Sequence, residues 1–291
     1  MRPFGDFPPE FIHPDNASIV LLPVPYDKTS TYGKGADKGP EALLEASYNL
    51  EFYDIETGTE VFRQGIFTAP PIKESRTPEK MVEAVYATCQ QWLSRNKFVV
   101  VLGGEHSVSE GTIRAHAEHY PGMCVLQLDA HADLRQSYRG SKHNHACIMA
   151  RAAEICPVTQ VGIRSLDITE TPSLVSGRVF FAEQIHSHQK WIREAINTLS
   201  EQVYVTIDLD VFDPSVLPST GTPEPGGLSW YMVIDFLREV VRYRKVVGFD
   251  VVELCPNPRE KSSDFTAAKL VYKFLSLIFA PVKNLYPPLG S

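Results

Sequence analysis

The stretch Val125-Leu126-Gln127-Leu128-Asp129-Ala130-His131-Ala132-Asp133 constrains this chain most. It opens as an apolar run, which suits a buried strand, and closes with three side chains of metal-ligand type at i, i+2 and i+4. Successive strand residues point to opposite faces, so Asp129, His131 and Asp133 project the same way if extended geometry persists. Ligand-type groups side by side at the end of an apolar strand need a shared partner, because burying unpaired charge is costly. A divalent metal is the simplest one.

Other apolar runs, at 18–24, 61–67, 98–102, 158–163, 178–181, 203–208 and 245–252, also read as strands. Between them the spacing predicts helices over 40–54, 78–95, from the Gly103–Ser107 turn to His119, and over 145–154, 189–199 and 229–241, with a last one after Asp264. Thr77, Ser229 and Asp264 are candidate caps, and Pro40 and Pro78 suit first helical positions. Strands alternating with helices imply a single three-layer α/β/α domain over 1–291, with a mostly parallel sheet of about eight strands. The polar loop 26–39 follows the first strand, and such loops either carry binding groups or merely connect.

The formal charge of −7 argues against a nucleic-acid surface. No apolar run reaches the roughly 18 residues of a membrane helix, and residues 1–6 carry no signal-peptide core. The five cysteines form no Cys-x-x-Cys pair. Cys124 and Cys255 adjoin apolar runs and read as core thiols. A cytoplasmic protein without a membrane partner is expected.

Three strand ends carry ligand types: His106, the Asp129–His131–Asp133 run, and Asp208 with Asp210. In open α/β sheets ligands gather outside the carboxyl ends of strands, so these positions can converge. Four neighbouring aspartates cannot all stay ionised without compensation. Two divalent ions would neutralise them, with some carboxylates bridging, and such pairs activate water for attack on an electron-poor carbon. Two imidazoles among carboxylates favour Mn²⁺, with Fe, Co and Zn as alternatives. The histidines His116, His119, His186 and His188 read as solvated helix or loop residues.

Five segments, in this order, resemble the ureohydrolase family of arginase, agmatinase and related guanidino hydrolases. They are Gly103-Gly104-Glu105-His106-Ser107, Asp129-Ala130-His131-Ala132-Asp133, Asp208-Leu209-Asp210-Val211-Phe212-Asp213-Pro214, Thr220–Leu228 with Thr222, and Gly248-Phe249-Asp250-Val251-Val252-Glu253. The resemblance implies a parallel eight-stranded fold, two Mn²⁺ per subunit, urea release from a guanidino substrate, and a homo-oligomer (trimer or hexamer). His106, Asp129, Asp133 and Asp208 would hold one ion, and His131, Asp129, Asp208 and Asp210 the other. Asp133 would also accept the nucleophile's proton, Glu253 would pair with the guanidinium, and His145 would carry a proton to the leaving amine. Ala146 after the second histidine favours His145 over His143. Glu105 replaces a more usual Asp, a one-carbon change expected to be tolerated.

Pro223-Glu224-Pro225-Gly226-Gly227 and Leu134-Arg135 after Asp133 resemble the agmatinase-like branch. Hydrolysis of agmatine to putrescine and urea is the first expectation. Arg135 either reads an acidic tail, which would favour guanidinobutyrate, or pairs with a local carboxylate. Arginine as substrate, a zinc deacetylase-type hydrolase and an inactive metal-binding scaffold are more remote.

Overall fold

Alternate residues of each central strand serve opposite cores. In β1 (Ile19–Val24), Ile19 and Leu21 join one apolar cluster while Val20, Leu22 and Val24 join another. In β3 (Phe98–Gly103), Val100 and Leu102 face the first cluster, and Val99 and Val101 the second. Strands apolar on both faces must be covered on both faces. The computed structural model, which describes residues 1–188 and 190–281, shows that arrangement.

The sheet has eight parallel strands in the order β2-β1-β3-β8-β7-β4-β5-β6. The remaining strands are β2 (Ile66–Thr68), β4 (Cys124–Leu128), β5 (Val158–Ile163), β6 (Val179–Phe181), β7 (Gln202–Asp208) and β8 (Lys245–Val252). Helices α2 (Pro78–Leu93), α3 (Ser109–His119) and α4 (Ile148–Ala153) pack side by side on one face. Helices α1 (Gly39–Ser47), α6 (Trp191–Thr198), α7 (Trp230–Tyr243) and α8 (Ser262–Phe279) cover the other, and α5 (Ala182–Ser187) follows β6. The three-layer α/β/α architecture expected from the sequence is the one found. Thr77 and Ser229 cap α2 and α7 through side-chain oxygens that accept Lys80 N–H and Met232 N–H.

Several local expectations are corrected. The first helix stops at Ser47 rather than near residue 54: the N–H groups of Tyr48, Asn49 and Leu50 donate three residues back, to Glu45, Ala46 and Ser47, and Asp54 closes a turn of its own, with Oδ1 accepting Thr57 N–H at 2.8 Å and Oδ2 2.9 Å from Lys273 Nζ. The expected strand at 61–67 opens as a 3-10 turn over Val61–Gln64, and β2 begins only after Gly65 with its φ of 74°. Helix α5, with six residues, is too short for a periodic signal and was missed. Helix α6 begins at Trp191, and Gln189, where a helix start was expected, lies outside the described residues. Asp264 does not cap α8; it sits inside the first turn and binds Lys261 Nζ at 2.9 Å. Cys124 is a core thiol, but Cys255 is only half-buried.

His186 and His188 are exposed, but His116 is not solvated. It is fully buried on α3, where Nδ1–H donates to Thr112 O at 2.8 Å and Nε2 has no hydrogen-bond partner among the described residues. A Cβ on residue 248 would lie 2.3 Å from that Nε2, so the ring fills the space that Gly248 leaves open. Burial pushes the His116 pKa down to about 4. A depressed folded-state value means that the unfolded chain binds the proton first. Stability is therefore complete above pH 6.5 and falls as pH drops towards 4, by about 3 kcal/mol over the interval. We expect His116→Phe to flatten this part of the pH–stability curve; urea melts at pH 7 and 5 showing the same slope in both proteins would contradict it.

Candidate metal centre

Four neighbouring strands, β3-β8-β7-β4, bring their carboxyl ends together. His106 follows β3, Glu253 follows β8, Asp208 ends β7 with Asp210 in the 3-10 turn after it, and Asp129, His131 and Asp133 follow β4. Strand geometry does not persist through the last three: β4 ends at Leu128 and Asp133 takes a left-handed φ of 51°. Glu253 is also left-handed, at φ 65°. A left-handed non-glycine residue stores about 1 kcal/mol or more of backbone strain, which is typical of functional sites.

The side chains nevertheless meet. His106 Nδ1 lies 3.1 Å from Asp129 Oδ2, 3.1 Å from Asp133 Oδ2 and 3.4 Å from Asp208 Oδ2. His131 Nδ1 lies 2.9 Å from Asp210 Oδ2 and 3.7 Å from Asp129 Oδ1. His106, Asp129 and Asp208 form one group able to hold a cation, and Asp129, His131 and Asp210 form a second. Asp129 belongs to both.

Asp129 is held through both oxygens, Oδ1 accepting His131 N–H and Oδ2 accepting Gln127 Nε2–H, each at 2.6 Å, while three other carboxylates are fixed through one. Asp208 Oδ1 accepts Asp210 N–H at 2.9 Å, Asp210 Oδ1 accepts Ala130 N–H at 3.0 Å, and Glu253 Oε1 accepts His106 N–H at 2.8 Å. The other oxygen of each aspartate faces a histidine. His106 is held from behind, with Nε2 2.9 Å from Thr206 Oγ1, whose hydroxyl donates to buried Asp250 at 2.6 Å. Among the described residues His106 Nδ1 is buried without a hydrogen-bond partner, turned toward three carboxylates. A divalent cation is the partner this donor set fits.

The electrostatics point the same way. Burial and then the Asp129 charge raise Asp133 to about 7. Burial, with Asp210 and Asp129 beside it, holds Asp208 well above the usual carboxylate range. Burial and Glu105 do the same to Glu253. Burial opposes the proton on His106 and His131, yet the aspartates raise both. Without a cation, the cluster must share protons to relieve its own repulsion.

A cavity of about 270 Å³ opens onto the cluster. His131, Asp133, Asp208, Asp210 and Glu253 line it together with Thr222, Arg135, Tyr138 and His145. Of the two candidate histidines, His143 is occupied elsewhere, with Nδ1 2.8 Å from Glu110 Oε2. His145 faces the cavity; burial, then the charges on His106 and His131, push its pKa down to about 4, so it is neutral at pH 7. Arg135 does not project freely: Nη2 lies 3.3 Å from Asp167 Oδ2, Nε 3.9 Å from Glu170 Oε2, and the guanidinium stacks 4.8 Å from the Tyr138 ring centroid.

Sequence reasoning passed over Ser30, Thr31, Tyr32 and Gly33 of loop 26–39, which line the cavity, and Asp167 and Glu170. The loop's Ser/Thr/Gly content was the available signal. It is sealed onto the β3 end by Glu105 N–H donating to Tyr26 O at 2.8 Å, and a Cβ on Gly104 would lie 1.9 Å from that same oxygen. Only glycine permits that approach.

A parallel α/β/α sheet with overlapping carboxylate–histidine groups at its central strand ends defines the class, a three-layer α/β protein with a metal-ligand cluster at the carboxyl edge of its sheet. Residues 17–276 match the model of the arginase family. The N(1)-aminopropylagmatine ureohydrolase of Synechocystis sp. is 40% identical over 273 residues, covering 89% of each chain. The agmatinase of Pyrococcus horikoshii is 34% identical over 281 residues, covering 90% of this chain and 92% of that protein. Among solved structures, the agmatine ureohydrolase of Thermoplasma volcanium superposes with a TM-score of 0.84 at 31% identity, covering 94% of this chain and 95% of that one. The chain belongs to the arginase family and is a hydrolase acting on guanidino compounds.

Proposed function

We propose that this protein hydrolyses agmatine to putrescine and urea, with two Mn²⁺ held by His106, Asp129, Asp133 and Asp208 and by His131, Asp129, Asp208 and Asp210. The observation that carries the reading is the position of Glu253, a buried carboxylate in the same cavity as the two ligand groups. Its Oε1 is tied to His106 N–H, which leaves Oε2 for a guanidinium. When bound, the metal pair would supply a water nucleophile active at neutral pH. Asp133 would accept the proton given up by the attacking water, and neutral His145 would carry a proton to the departing amine. Thr222 lines the same cavity.

The part of the cavity lined by Arg135, Asp167 and Glu170 supports an amine tail. Arg135 faces two carboxylates, Asp167 and Glu170, so its charge is answered within the protein. One cation against two acids leaves that part anionic, which disfavours guanidinobutyrate and the carboxylate of arginine. N1-aminopropylagmatine is the second reading, supported by three relatives of that name at 39–40% identity. Among the described residues no helix is long and apolar enough to cross a membrane. The cytoplasmic location, the single domain over 1–291 and the trimer or hexamer are further proposals; the first draws support from five unpaired cysteines.

Urea release is measured from agmatine, N1-aminopropylagmatine, guanidinobutyrate and arginine, before and after chelation and Mn²⁺ addition. One or both amine-tailed compounds should turn over, with activity lost on chelation and restored by Mn²⁺. No turnover of any member overturns the reading, and preference for guanidinobutyrate overturns the account of Arg135.

A further inference from the structure

Thr29 lies outside all five sequence motifs, yet its hydroxyl joins two groups of the site. Oγ1 donates to Glu105 Oε2 at 2.6 Å, accepts the His145 backbone N–H at 3.0 Å and stands 3.1 Å from His145 Nδ1. A hydroxyl has one proton and two lone pairs. Glu105 accepts a hydroxyl on each oxygen, Ser107 at Oε1 and Thr29 at Oε2, both at 2.6 Å, so it takes the single Thr29 proton. The His145 N–H fills one lone pair. The role left for Nδ1 is that of donor to the second. The ring proton then sits on Nδ1 and the lone pair on Nε2, as when a hydrogen bond at one imidazole nitrogen sets the chemistry of the other.

We propose that Glu105 and Thr29 are positioning residues that fix His145 as the Nδ1–H tautomer, so that Nε2 alone exchanges protons with the reaction. The inference rests on His145 being the proton carrier. In that step Nε2 takes up the proton that the attacking water has given to Asp133, relayed through water in the cavity, and the new N–H bond breaks as that proton passes to the departing amine nitrogen, so that Asp133 is again a carboxylate. Nδ1 keeps its proton throughout, and the ring returns to its starting tautomer. Without the hydroxyl, part of the population carries its proton on Nε2 and cannot accept another there.

The test uses Thr29→Val, Thr29→Ser and His145→Gln. Ring ¹⁵N resonances are read in metal-free protein, with His145 assigned from its loss in His145→Gln, and kinetics are read on Mn²⁺-loaded enzyme with its metal content measured. Wild type and Thr29→Ser should show Nδ1 protonated, and Thr29→Val a mixture. Thr29→Val should lose about tenfold in kcat with KM within about twofold, on the scale of partners that orient a site residue, and Thr29→Ser should recover it. An Nε2-protonated ring in wild type overturns the proposal. So does an unchanged kcat in Thr29→Val when His145→Gln is impaired, or a rise in KM alone, which would make Thr29 a loop anchor. Full activity in His145→Gln overturns it through its premise, and the ¹⁵N pattern then still reports whether the hydrogen bond itself forms.

Discussion

Asp129→Asn is expected to empty the site. Asp129 is the carboxylate common to both ligand groups, so its loss weakens both at once. Substitution of groups that merely orient a ligand costs about 10–100-fold in metal affinity, so loss of a shared ligand charge should cost about a hundredfold or more. Metal content after desalting should fall, urea formation should fall with it, and the rise in Tm on adding Mn²⁺ should disappear, since a ligand at 100 times its Kd contributes about 2.7 kcal/mol. Unchanged occupancy would contradict the assignment. Asp208→Asn gives an internal contrast. Against burial, His106 and His131 hold Asp129 below its ordinary pKa, so its charge stabilises the metal-free fold at pH 7. Burial with Asp210 and Asp129 holds Asp208 above its own, so its charge destabilises that fold. Both substitutions should abolish metal binding, but metal-free Tm should fall in the first and rise in the second.

Glu253→Gln should give the second large effect. Gln preserves the shape and can still accept His106 N–H, but it removes the charge set against the guanidinium. Breaking a buried pair by removing one partner costs about 3–5 kcal/mol. At about 1.4 kcal/mol per decade, kcat/KM should fall by about a hundredfold or more. Metal content should stay at the wild-type level, and metal-free Tm should not drop, because burial and Glu105 already disfavour the Glu253 charge. A small loss in kcat/KM would show that the guanidinium is bound elsewhere; a loss of metal would make Glu253 part of the ligand set.

Much of the site was legible before any coordinates, and the reason is local. A strand that is apolar on both faces announces itself within five or six residues, and its carboxyl end is where an open parallel sheet collects ligands. His106, Asp129, His131, Asp208 and Asp210 each stand within a few residues of such an end. The errors also had local causes. Asp54 and Asp264 looked like helix residues or caps because an Asp side chain serves a helix start and a tight turn equally well. His116 looked solvated because its α3 neighbours His119 and Glu118 are polar, while the space it fills is made by Gly248 of a distant strand.

The sequence alone determined the layered parallel fold, the residue types of the ligand cluster and the strand ends that present them, because periodicity, capping and ligand spacing act over a handful of residues. Only the tertiary structure decided that β8 enters between β3 and β7 and so sets Glu253 beside His106. It also decided that Asp167 and Glu170 answer Arg135, that Glu110 takes His143, and that Thr29 reaches His145 across 116 positions of sequence. Those pairings depend on which strand ends and loops become neighbours when both faces of the sheet are buried. A hydrogen bond reaches about 3 Å, and no pattern along the chain records which distant residue comes within it.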